Sequence, residues 1–291
     1  MSVPLLNPIA PYDFLLSLRV AASFSPEASQ NQTILRTAVR LDKKPLVMEV
    51  RQINKRPVQL KVSCNDNDYI GTIKKLAEWV LFAELNLRGF YRVSHRNKKI
   101  NHIVKRLHGL KPMRPASLFE MAVIAVIEQQ ISLIASYRIR ERMIKRFGDS
   151  IDGLWAFPCV ETLAEAAVDE LMACGLSKRK AEYIRGLALK VCDRSVDLNT
   201  LKTMSDEDVR QYMTSIRGFG PWSADYILIR GLGRTDCVPA NDLALRTTVG
   251  KYLGDGTRLS PEKVREVLEP FAPYRGMAAF YLLAYEKMSK H

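Results

Sequence analysis

Residues 216–231 read IRGFGPWSADYILIRG. A helical period over 206–216 stops at Arg217-Gly218, and an apolar period resumes after Pro221. Gly218 and Gly220 can both take positive φ, which a short turn between helices often needs. Pro221 suits the first position of the second helix, where the N–H it lacks would have no intrahelical partner. The stretch therefore reads as two helices joined by a tight hairpin spanning 206–231. The backbone N–H groups of Gly218, Phe219 and Gly220 would collect near a helix N-terminus, a ready site for a phosphate, directly or through a bound cation. Taken alone, such a turn is more often an ordinary helix–helix connection, so its surroundings decide.

Upstream, the chain changes character. TILRTAVRL, PLVMEVRQI and PVQLKVSC, within residues 30–63, alternate apolar and polar residues, with turn-like DKK and NKRP between them. That is the period of an antiparallel sheet with one solvated face. Residues 68–85 turn helical, with apolar positions at Ile73, Leu76, Ala77, Val80 and Leu81. The basic stretch 95–115 reads as a helix leading to a domain junction marked by two prolines. Beyond it the pattern is almost all helix. Ser117 with Glu120 forms a capping box, Ser205 with Asp208 repeats the device, Gly175 and Gly218 read as helix stops, and Ser260-Pro261 reads as a start. The expected architecture is α+β: an N-terminal antiparallel β-sheet with helices over 1–112, then an all-α helix-hairpin-helix domain over 113–291. Residues near the N-terminus could pack on the helical part.

Forty-four Lys and Arg against 31 Asp and Glu leave a net charge of +13 over 291 residues, an excess that favours a polyanionic partner such as nucleic acid. The cysteines at 64, 159, 174, 192 and 237 form no C-x-x-C and no ferredoxin-like run, so no zinc or iron–sulfur site is expected from them. Their scattered, odd count reads as reduced, buried thiols in a reducing compartment. MSVPLLNPIAPYDF lacks a basic stretch before an apolar core, and the longest apolar runs, such as 121–127, are far short of a membrane span. No leader and no membrane association are expected, and the cytoplasm or nucleoid is the expected location.

After the hairpin comes GLGRTDCVPANDLALRTTVGKYLG (231–254), in which Asp242 opens a further helix. Here the sequence resembles the helix-hairpin-helix DNA glycosylase superfamily, in particular its 3-methyladenine-DNA glycosylase II branch. The family pattern, G-[IV]-G-x-x-[ST]-A followed about one helix and a loop later by an Asp, is met by Gly218-Phe219-Gly220-Pro221-Trp222-Ser223-Ala224 and by Asp242. Phe219 departs from the usual small aliphatic residue. Residues 11–14 (PYDF), 118–132 and 271–285 extend the resemblance to both ends of the chain.

The resemblance implies a monofunctional glycosylase of base excision repair. It would flip an alkylated base out of double-stranded DNA, hydrolyse the N-glycosidic bond and leave an abasic site. 3-Methyladenine and 7-methylguanine are the first expected substrates, with 1-methyladenine and 3-methylcytosine as extensions. Asp242 would be the catalytic carboxylate, stabilising positive charge on the sugar. Its ordinary alternatives are an N-cap for helix 243–253 or a partner for Arg246. Trp222 stands where strand-cleaving relatives carry a Lys, so water rather than an amine is the expected nucleophile. Trp222 and Tyr226, four apart on one helix face, would wall the base pocket by cation–π attraction, joined from the last helix by Phe280, Tyr281 and Leu283. Leu283 falls where the branch can place an aromatic. Gln130, or else Ile131, would fill the gap left by the flipped base, the alternative being that Gln129 and Gln130 cap a buried turn. Arg217, Lys178 and Lys180 would join the hairpin amides on the phosphate backbone. No metal or cofactor is required for the chemistry, and a monomer is expected. The competing readings are a non-catalytic helix-hairpin-helix DNA-binding protein, a glycosylase/lyase and a sequence-specific regulator.

Overall fold

A computed structural model describes residues 4–24, 33–41 and 43–289; residues 30–32 of the expected β-rich stretch and Asp42 of its first turn lie outside these. The chain opens with β1 (Leu5–Leu6) and α1 (Phe14–Phe24), then β2 (Ile34–Leu41), β3 (Lys44–Lys55) and β4 (Val58–Cys64). These form one antiparallel sheet in the order β1-β4-β3-β2. Strand alternation sets its buried face: Leu35, Val39, Met48, Val50, Leu60 and Val62 point into one core with Ile73, Ala77 and Val80 of α2 (Ile70–Val80). Each such side chain contributes about 1.5–3 kcal/mol relative to exposure.

The helix expected over 68–85 ends early, at Val80, because the chain turns sharply at Phe82, whose φ is +48°. The basic stretch 95–115 holds one helix, α4 (Lys98–Arg106), preceded by α3 (Arg88–Ser94) and begun by Asn97, whose side chain accepts the Lys99 N–H at 3.0 Å. The buried stripe of α4 is Ile100, Ile103 and Val104.

The mostly helical remainder comprises α5 (Leu118–Glu128), α6 (Leu133–Phe147), α7 (Val160–Glu165), α8 (Val168–Ala173), α9 (Lys178–Cys192), α10 (Asp206–Ser215), α11 (Pro221–Tyr226), α12 (Leu243–Leu253), α13 (Pro261–Leu268) and α14 (Arg275–Met288). It is not entirely helical. A small ribbon, β5 (Ser150–Ile151) with β6 (Leu154–Trp155), turns on Asp152 and Gly153, whose φ values of +49° and +74° fit a two-residue hairpin turn. This ribbon lies against the sheet edge. Arg40 pairs with Asp149 and donates to the Phe157 carbonyl at 3.3 Å, and Lys43 pairs with Glu161 at 2.8 Å. Such contacts fasten β2 to the loops around α6 and α7.

Two further cores position the site. One gathers α5, α6, α9, α10 and α11; the other packs α1, α3 and α4 against α12, α13 and α14. The first and last thirds of the chain therefore share a core, in which α14 packs on α12, while α5 packs on α11 in the other. Among the described residues no helix is long and apolar enough to cross a membrane.

Candidate functional site: an aromatic-walled carboxylate cleft

The hairpin forms between α10 and α11. Ser205 caps α10 by accepting the Asp208 N–H at 3.1 Å, and Ile216 closes it. Gly218 has φ +102°, and a Cβ there would lie 2.5 Å from the Tyr183 ring, so both conformation and space require glycine. Gly220 does not take positive φ. It is extended (φ −112°, ψ −176°) as the N-cap of α11, with Pro221 in the first turn. The amides of Gly218 and Gly220 make no hydrogen bond among the described residues, whereas the Phe219 amide donates to the Ile216 carbonyl at 3.1 Å and its ring is buried. The hairpin thus offers two of the three expected donors. After Tyr226 the helix widens into a π-helical stretch, Ile227–Gly231.

Asp242 is the N-cap of α12. Its Oδ1 accepts the Leu245 N–H at 2.8 Å, and its Oδ2 accepts from Trp222 Nε1 at 3.3 Å across twenty residues of sequence. Capping and site geometry coexist in one side chain. Arg246 does not pair with this carboxylate, because its guanidinium donates to the Leu259 carbonyl at 2.7 Å. Trp222 and Tyr226 stack with ring centroids 4.9 Å apart and planes 16° from parallel. Such a pair contributes about 0.5–1.5 kcal/mol beyond its buried area. The Tyr226 hydroxyl donates to Glu128 Oε2 at 2.7 Å, and burial together with this carboxylate pushes the phenol well above its usual range.

Asp242, Trp222, Tyr226, Glu128, Phe280 and Leu283 all line one cavity of about 1340 Å³, which continues toward β2 and the β6 ribbon. Tyr281 does not join them. It is fully buried on another face of α14, where its hydroxyl donates to the Leu110 carbonyl at 2.8 Å. One helical step of about 100° separates it from Phe280 and carries it into the core.

The turn after α5 carries Gln129, Gln130 and Ile131. Gln130 is exposed with φ +52°, a conformation unusual for a non-glycine residue, and Ile131 is exposed beside it. Gln129 points the other way: its Nε2 donates to the Gly218 carbonyl at 2.8 Å and to Ser223 Oγ at 3.0 Å, tying this turn to the hairpin. Lys180, expected at phosphates, instead donates to the carbonyls of Ile127 and Gln129 at 2.8 and 2.6 Å. It caps the C-terminus of α5, where the helix dipole favours a cation. Lys178 is exposed in the first turn of α9, and Arg217 is largely exposed with a 3.4 Å contact to Glu182. Gln129 thus follows the alternative reading, an amide bonding a turn, whereas the positioning role of Lys180 and the place of Glu128 at the cavity wall were not anticipated from sequence. The only hint was an acid and two amides closing an otherwise apolar helix.

The family model described as HhH-GPD superfamily base excision DNA repair protein matches residues 123–273. The chain belongs to this superfamily. The matched region contains the hairpin, Asp242 and the turn after α5. Among curated proteins, a DNA-3-methyladenine glycosylase of Bacillus subtilis is 27% identical over 214 residues, covering 72% of this chain and 70% of that protein. Among solved structures, a 3-methyladenine DNA-glycosylase from Archaeoglobus fulgidus superposes with a TM-score of 0.85 at 25% identity, covering 98% of each chain. The Schizosaccharomyces pombe 3-methyladenine DNA glycosylase in complex with abasic DNA gives a TM-score of 0.61 at 27% identity, over 70% of this chain and 97% of that one.

Proposed function

We propose that the protein is a monofunctional DNA glycosylase that removes alkylated bases from double-stranded DNA, 3-methyladenine and 7-methylguanine first among them, and leaves an abasic site. The observation that carries the reading is the contact between Asp242 and Trp222 in the wall of the aromatic-lined cavity. The carboxylate's two hydrogen bonds hold it in one orientation beside the wall against which a flipped base would stack.

The chemistry follows from that placement. A methylated purine cation is already a good leaving group, and its positive ring is attracted to the faces of Trp222 and Tyr226. As the N-glycosidic bond lengthens, positive charge moves to the sugar. Asp242 stabilises it electrostatically and orients a water for attack at C1′. No amine stands at position 222 to form a Schiff base, so the sugar–phosphate strand stays intact. The Gly218 and Gly220 amides and Arg217 hold the backbone, while Gln130 or Ile131 enters the stack where the nucleotide has left. The protein acts as a monomer, in the cytoplasm or nucleoid.

Incubation with methylated duplex DNA, followed by strand analysis with and without hot alkali, tests the reading. Breaks appearing only after alkali are expected. Breaks formed before it would mean a lyase, and none in either arm would remove the glycosylase assignment.

A further inference from the structure

The cavity wall holds a second carboxylate. Glu128 is the last residue of α5, whose other residues, Glu120 apart, are apolar and buried. An anion at a helix C-terminus opposes the helix dipole. A half-buried one also forfeits hydration. Local rules of this kind are broken where a site needs the group. Its side chain is 11% exposed, with Oε2 accepting from Tyr226 and Oε1 lying 3.9 Å from Arg140 Nη1. Like Asp242, it lines the cavity, and the Trp222–Tyr226 stack runs between the two carboxylates.

We infer that Glu128 is a specificity-determining residue that makes the pocket select positively charged bases over neutral bases of the same shape. The inference rests on the glycosylase reading above and deepens it. Stacking alone discriminates weakly, because any base has a face to offer. A fixed negative charge at the far end of the stack adds an attraction that only a cationic ring collects, and poor solvent access leaves it weakly screened. Arg140 offsets part of that charge. Removing the carboxylate deletes that attraction. The Tyr226 hydroxyl is committed to Glu128, so it is the carboxylate, and not the phenol, that sets the polarity of this end.

The test measures binding to two duplexes, one with a single 2′-fluoro-7-methylguanine nucleotide, the other with its neutral isostere 7-methyl-7-deazaguanine. Wild type should prefer the cation. Glu128→Gln, which conserves shape, should reduce that preference roughly tenfold, the order expected of one unit charge several ångströms away at intermediate dielectric. Tyr226→Phe, which frees the carboxylate but keeps the ring, should retain it. Equal loss in both variants would reduce Glu128 to an anchor for Tyr226 and overturn the inference. So would a wild type that does not prefer the cation, or a Glu128→Gln variant that prefers it as strongly as wild type. Base release by wild type from methylated DNA is scored separately, so failure of the glycosylase reading is distinguishable from failure of this one.

Discussion

Replacing Gln129 with Ala cuts the link between the exposed turn after α5 and the hairpin. The side-chain amide makes two hydrogen bonds, to the Gly218 carbonyl and to Ser223 Oγ. Each is part-buried and contributes about 0.5–1.5 kcal/mol net, so the loss is about 1–3 kcal/mol. The upper half of that range is favoured because Ser223 is 2% exposed, so water cannot readily replace the lost donor to its hydroxyl. A loss of about 2 kcal/mol with a urea slope of about 2 kcal/mol/M lowers the unfolding midpoint by roughly 1 M. The functional loss should exceed the stability loss under folding conditions. Gln130, held at φ +52°, and Gly218, at φ +102°, would no longer be registered against each other, and affinity for a duplex with one abasic site should fall about tenfold per 1.4 kcal/mol of lost registration. Urea denaturation and equilibrium binding to that duplex measure both. A variant with wild-type midpoint and affinity would refute the claim that Gln129 couples the turn after α5 to the hairpin.

Two further outcomes are expected. Trp222→Lys should yield no borohydride-trapped DNA adduct, because the new ammonium would sit beside Asp242 and pair with it, and the stack on Tyr226 would be lost; a trapped adduct would contradict this. Lys111 is fully buried, donating to the Ile9 and Ala83 carbonyls, and burial lowers its pKa to about 8. Between about pH 8 and 10.5 the unfolded chain therefore binds more protons at this residue than the folded one, so its contribution makes stability rise with pH across that window. Urea midpoints of wild type and Lys111→Met, taken across the window, should diverge in that sense; parallel profiles would contradict it.

Sequence patterning carries most of this fold. The three long strands sit where alternation puts them, since one solvated face imposes a period of two. The hairpin and Asp242 are equally legible, because Gly218, Pro221 and a capping aspartate each have a local cause. The losses are physical. Residues 276–282 of α14 are all buried, so no polar face marks which side meets the cavity, and Tyr281 could not be told from Leu283 by period. Lys180 stands in a run that looks solvated, yet its long stem reaches carbonyls on another helix. The β5–β6 ribbon has two-residue strands, too short for alternation, although Asp152-Gly153 carried its turn signal.

The most direct measurement compares wild type with Asp242→Asn on methylated duplex DNA in EDTA, chromatographing the released bases and measuring affinity for the same DNA. The substitution keeps side-chain volume and an oxygen for the Leu245 N–H, so the fold should persist. Free 3-methyladenine or 7-methylguanine from wild type alone, with lesion binding retained in the variant, is the predicted result. Base release at equal rates from both proteins, or tight binding without release from either, would contradict the placement of Asp242 at the centre of the chemistry.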